Sequence, residues 1–151
     1  METGIYSNGT LNINNSTITG NKALGNGGGI FHTYSTLVIK NSTIVNNSAL
    51  DGGGGLSTQV GYVYNTIIAD NSTLPSSMGS GCSGILNISK SSLFGSLSGC
   101  SIQVGSGNQA NVEPLLSQVA IGMPAYHELK IESPAINAGD PATCLPTDQE
   151  G

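Results

Sequence analysis

A motif that returns every 24 to 26 residues constrains this chain more than any other feature. Gly4-Ile5-Tyr6 recurs as Gly29-Ile30-Phe31 and as Gly55-Leu56-Ser57, at steps of 25 and 26. Asn15-Ser16-Thr17-Ile18 recurs as Asn41-Ser42-Thr43-Ile44, and more loosely as Asn65-Thr66-Ile67-Ile68. Ile88-Ser89-Lys90-Ser91-Ser92-Leu93 repeats the pattern of residues 63–68 at a step of 25. The chain therefore divides into about four units, at roughly 4–28, 29–54, 55–79 and 80–104. A unit this short cannot bury an apolar face alone, so successive units have to stack on one another.

Within each unit the apolar period is two. Leu11 and Ile13, Leu37 and Ile39, and Leu86 and Ile88 each skip one residue, the spacing of a half-buried strand. Gly and Asn punctuate these strands, as in Gly25-Asn26-Gly27-Gly28-Gly29 and Asp51-Gly52-Gly53-Gly54-Gly55. Both residue types accept the positive φ of a sharp corner. About three short strands and tight corners in ~25 residues predict one coil of a right-handed parallel β-helix, an all-β solenoid. Equivalent residues then lie above one another. The step predicts four inward columns: Ile5, Ile30, Leu56 and Cys82; Leu11, Leu37, Gly61 and Leu86; Ile13, Ile39, Val63 and Ile88; and Ile18, Ile44, Ile68 and Leu93. Asn21, Asn47 and Asn71 fall in register at a corner, where stacked amides can bond from coil to coil. A sandwich or barrel gives regular strands but no reason for residue-by-residue recurrence.

Composition narrows the functional classes. Four Lys, no Arg and a net charge of -5 exclude nucleic-acid binding, which needs clustered cations to neutralise phosphate. No apolar run approaches the ~20 residues of a membrane-spanning helix. Near residue 105 the repeat dissolves. Five of the six Pro lie beyond it: Pro114, Pro124, Pro134, Pro141 and Pro146. The charges of residues 1–105 cancel, so the acidity resides in residues 106–151. We read two regions, coils over 1–105 and an irregular C-terminal extension over 106–151 that packs on the last coils and covers their open end. Leu115, Leu116, Val119, Ile121, Leu129, Ile131 and Ile136 supply its packing. Residues 1–4 carry no basic and apolar leader, the repeat begins at once, and nothing resembles an end cap. This predicts a piece of a longer exported chain.

The coils resemble the parallel β-helix repeats of bacterial surface and secreted proteins, including the polymorphic outer-membrane proteins. The extension carries Glu113-Pro114-Leu115-Leu116, His127-Glu128-Leu129, Ser133-Pro134-Ala135-Ile136-Asn137-Ala138-Gly139-Asp140 and Cys144-Leu145-Pro146-Thr147-Asp148-Gln149-Glu150-Gly151, in that order. This series resembles the "choice-of-anchor Q" domain, although Glu113 and Asn137 stand where that family usually has Asp. The resemblance implies export and surface display and assigns no catalytic residue. Cys82 and Cys100 match positions where that family carries a cysteine pair. They bracket an 18-residue step, and the resemblance implies a disulfide between them with Cys144 left over. The other reading keeps Cys82 as a reduced, buried thiol continuing the column of Ile5, Ile30 and Leu56.

Chemistry is sparse in the coils. Polysaccharide lyases and glycosidases need clustered carboxylates, and the lyases usually an Arg base. Beyond Glu2 the coils offer only Asp51, in a Gly corner, and Asp70, at a turn position equivalent to Asn46. His32, expected to point outward beside Phe31, and His127 stand in no metal-ligand spacing. No catalytic, metal or cofactor residue is therefore assigned, and the reading is not an enzyme. A ligand face is assigned to Thr10 and Thr36, whose hydroxyls repeat, and to Tyr62 and Tyr64, whose rings can stack on a sugar. The chain reads as a structural or adhesin-like scaffold, secreted or at the cell surface. Its partners are a carbohydrate or a host-surface ligand, and end-to-end association with its own copies. Two alternatives stand beside it: a carbohydrate-binding or polysaccharide-processing β-helix whose active coils lie elsewhere, and an ice-binding face of Thr and Ser.

Overall fold

The computed structural model describes residues 3–74, 79–119 and 126–147. Glu2, Ile121, Pro124 and residues 148–151, which entered the sequence reading, lie outside the described residues. The described residues form short strands and no helix. The first turn carries β1 (Ile5–Ser7), β2 (Leu11–Asn14), β3 (Thr17–Thr19) and β4 (Lys22–Ala23). The second carries β5 (Ile30–His32), β6 (Leu37–Lys40), β7 (Thr43–Val45) and β8 (Ser48–Ala49). In the third, the first two strands merge into β9 (Leu56–Tyr64), followed by β10 (Ile67–Ala69) and β11 (Ser72–Thr73). Then come β12 (Cys82–Lys90), β13 (Leu93–Phe94), β14 (Cys100–Ser106) and β15 (Gln109–Ala110).

All these strands pair in parallel with their counterparts one turn away. The first sheet runs β1-β5-β9-β12-β14, with β2 and β6 alongside; the second runs β3-β7-β10-β13-β15; the third is β4-β8-β11. The molecule is a parallel β-solenoid. Three turns carry all three sheets, and the rungs after them carry two among the described residues. The sequence step predicted about four equal coils. The difference arises beyond β12, where Gly84 pairs with Cys100 and the step falls to 16 because no strand of the third sheet intervenes.

The core is built from columns. Ile5, Ile30, Leu56 and Cys82 stack as expected, as do Leu11, Leu37, Gly61 and Leu86. Two columns end differently. Val63 faces Ser89 rather than Ile88, and Ile68 faces Phe94 rather than Leu93. The cause is an irregularity in β12: Leu86 pairs with Gly61 but Ile88 pairs with Tyr62, so one extra residue lies between. A one-residue slip exchanges the two faces of a strand, so Ser89 and Phe94 turn inward and become fully buried. His32 also departs from expectation. It shares the inward face of Ile30 and is 1% exposed. Its Nε2–H donates to the Gly9 carbonyl at 3.0 Å, and Nδ1 lies in hydrogen-bond contact with the Thr58 hydroxyl at 3.3 Å.

At the corner between the second and third sheets the chain leaves both ladders, so its peptide groups need other partners. Asn21, Asn47 and Asn71 supply them. Asn21 Nδ2 donates to Asn47 Oδ1 at 2.9 Å, and Asn47 Nδ2 donates to Asn71 Oδ1 at 3.0 Å. The same oxygens accept from the backbone N–H of Asn21 and Asn47, and the amides reach the Ile18 and Ile44 carbonyls. The opposite corner is made by Asn15, Asn41, Asn65 and Ser91, all with φ between 45° and 48°.

The extension does more than meet the last turns. Leu116 and Ala135 pack on Val45, Ala69 and Leu93, on the outer side of the second sheet. His127 reaches Thr19 of the first turn, and Asn15 Nδ2 donates to the Thr147 carbonyl at 2.6 Å. It thus lies along the flank of the stack and closes the outer face of the second sheet.

Cys82 and Cys100 form a disulfide, with Cα atoms 5.5 Å apart, and Cys144 is free and exposed. Cys82 also keeps its place in the inward column, but as one half of the bond and not as the reduced thiol of the other reading. Closing a loop of this length is worth about 3 kcal/mol in the chain-entropy model. Reduction, or Cys82→Ser with Cys100→Ser, is expected to lower Tm by roughly 8 °C in a thermal melt. An unchanged Tm after complete reduction would contradict that role.

Candidate functional site

Strand alternation sends Leu37 and Ile39 inward and leaves Thr36, Val38 and Lys40 on the outer side of the first sheet. Pairing then sets Tyr62 between Val38 and Ile88, and Tyr64 between Lys40 and Lys90. Neighbouring strands lie ~4.8 Å apart, so each column presents its side chains in contact. The result is a groove of about 550 Å³, lined by Thr36, Val38, Lys40, Tyr62, Tyr64 and Lys90. Thr143 of the extension forms one edge.

That edge is held in place from the stack. Asp140 N–H donates to Asn65 Oδ1 at 2.8 Å, and Asn65 Nδ2 donates to the Thr143 hydroxyl at 3.2 Å. The corner residue that turns the chain from the first sheet to the second therefore also docks the extension beside the groove. Lys40 Nζ lies over the Tyr64 ring, 5.7 Å from its centre, within cation–π distance. Tyr62 and Tyr64 are both half-buried. Among the described residues no carboxylate lines the groove.

Of the assigned ligand face, Thr36, Tyr62 and Tyr64 meet in this groove. Thr10 lies outside its lining, exposed, with its hydroxyl 3.2 Å from that of Ser35. The sequence reading missed Lys40, Lys90, Val38 and Thr143. The other Thr column runs Thr17, Thr43, Ile67 and Leu93, so its hydroxyls extend over two rungs only. Asp70 occupies a left-handed turn position (φ 53°) equivalent to Asn46 (φ 57°) and Gly20 (φ 73°). Asp51 is exposed in its Gly corner. Among the described residues no three His, Cys, Asp or Glu side chains are gathered as a metal site would require.

Fold and groove together define a parallel β-solenoid with an aromatic and basic channel on its first sheet. No family model matches the chain, and neither a curated protein nor a solved structure does.

Proposed function

We propose that the chain is a non-catalytic scaffold of an exported protein, displayed at a bacterial surface in the manner of an adhesin. The observation that carries this reading is the Cys82–Cys100 bond, which ties a solenoid rung to the next one. Such bonds persist in oxidising compartments and are rare where thiols are kept reduced. The resemblance of the extension to the choice-of-anchor Q domain supports the same reading. Among the described residues β1 and β2 form ladders on one side only, an edge that suits association between copies of this chain.

Two measurements test the proposal. Protein recovered from its host under non-reducing conditions is expected to yield one alkylatable thiol, Cys144; three thiols would contradict export. Incubation with polygalacturonate, alginate and chitin is expected to give no product. Turnover that is abolished in Asp70→Ala would overturn the scaffold reading in favour of an enzyme.

A further inference from the structure

We propose that the groove of Tyr62, Tyr64, Lys40 and Lys90 binds an acidic sugar, one that carries carboxylate or sulfate groups. The inference goes beyond the scaffold reading and does not depend on it.

Three observations converge on this ligand. The first is charge placement. The whole chain has four cationic side chains and a net charge of -5, yet two of the four line one groove, and no carboxylate stands among its described lining residues. Half of the chain's cations are thus gathered where an anion can meet them. The second is spacing. Lys40 and Lys90 belong to one column with Tyr64 between them, two strand steps or ~10 Å apart along the stack. That separation suits anionic groups on successive repeats of a sugar chain lying across the strands. A single small anion would meet only one of the two.

The third observation is the floor. The half-buried Tyr62 and Tyr64 line the groove, and a Tyr ring offers the flat apolar surface that a pyranose C–H face covers, with its own hydroxyl for the rim. Thr36 and Thr143 add hydroxyls that donate to or accept from sugar hydroxyls. The volume of about 550 Å³ lies within the usual range for a small-ligand site. Two cations are too few to hold a nucleic-acid backbone, which needs many phosphate contacts. An acidic peptide would use the lysines but leave the hydroxylated rim and the Tyr rings without matching groups.

Affinity electrophoresis of the intact chain at low ionic strength tests this, with polygalacturonate, dextran sulfate, neutral dextran or polyglutamate cast in the gel. Retardation by polygalacturonate assigns the anion as carboxylate, and by dextran sulfate as sulfate; neutral dextran is expected to have no effect. Lys40→Gln with Lys90→Gln, which keeps the side-chain stems, is expected to weaken retention at least about tenfold. Tyr62→Ala is expected to weaken it as well. Lys22→Gln with Lys130→Gln removes the same charge from outside the groove and is expected to leave retention unchanged. The proposal is overturned by no retardation in either acidic polysaccharide. It is overturned equally if polyglutamate retards as strongly, or if the Lys22 and Lys130 variant loses as much as the Lys40 and Lys90 variant.

Discussion

Asn47→Ala is expected to destabilise the fold by about 4 kcal/mol, because each buried polar group left without a partner costs ~1–3 kcal/mol. Asn47 is 1% exposed and lies in the middle of the amide column. Its Oδ1 accepts from both nitrogens of Asn21, and its Nδ2 donates to the Ile18 carbonyl and to Asn71 Oδ1. Alanine deletes both halves of the amide and strands a peptide N–H and a carbonyl inside the corner. A domain stable by only ~5–15 kcal/mol loses a large fraction of its margin. Asn47→Asp restores the acceptor but not the donor, and places a charge in the corner; it is expected to be at least as damaging at neutral pH. Urea titration reads both effects as a lower midpoint. A midpoint within error of the parent for Asn47→Ala would show that the column is ornamental.

Gly28→Ala is expected to cost about 3 kcal/mol, whereas Gly25→Ala, three residues away, stays within about 0.5 kcal/mol of the parent. Neither glycine has a positive φ, so both backbones accept alanine and only the space differs. A Cβ at Gly28 would press into the carbonyl oxygens of Ser48 and Gly54, which are backbone atoms of neighbouring strands and corners and cannot swing away. At Gly25 the nearest atom is Asp51 Oδ2, at 3.8 Å. The contrast reports on how closely successive turns approach at the corner leading into the first sheet. Equal stabilities for the two variants would mean that the turns are not packed at this distance.

Most of the architecture can be read from the repeat, because a solenoid writes each inward position once per turn. The column of Ile5, Ile30 and Leu56 needed only the recurrence of the Gly-apolar pair, and the amide column needed only the step from Asn21 to Asn47 to Asn71. The reading failed where the step itself changes. The step is 26 at Gly84, falls to 25 at Leu86 through an extra residue in β9, and returns to 26 at Ile88 through an extra residue in β12, which carried Ile88 and Leu93 out of their assigned columns. The same slip concealed the groove. At a step of 25, Lys90 falls opposite Asn65; at the true step it falls opposite Tyr64 and hence in line with Lys40.

His32 was legible and missed, since period two from Ile30 turns it inward; its polar ring suggested the surface, and Thr58 and Gly9 satisfy it inside instead. The path of the extension was not legible. It has no period, and its course back to the first turn is fixed by single contacts such as Asn65 with Asp140 and His127 with Thr19. Thr143 could not be assigned to the groove for the same reason.

The central claim is a parallel stack with one specific register, and nuclear Overhauser contacts between backbone protons of the isotope-labelled chain test it most directly. Strands ~4.8 Å apart place the amide and α protons of paired residues close enough to report on one another. The predicted pattern is a parallel one that links Ile13 to Ile39, Ile39 to Val63 and Val63 to Ser89, with Ile68 linked to Phe94. Antiparallel cross-strand contacts, or contacts that join Val63 to Ile88 and Ile68 to Leu93, would contradict it.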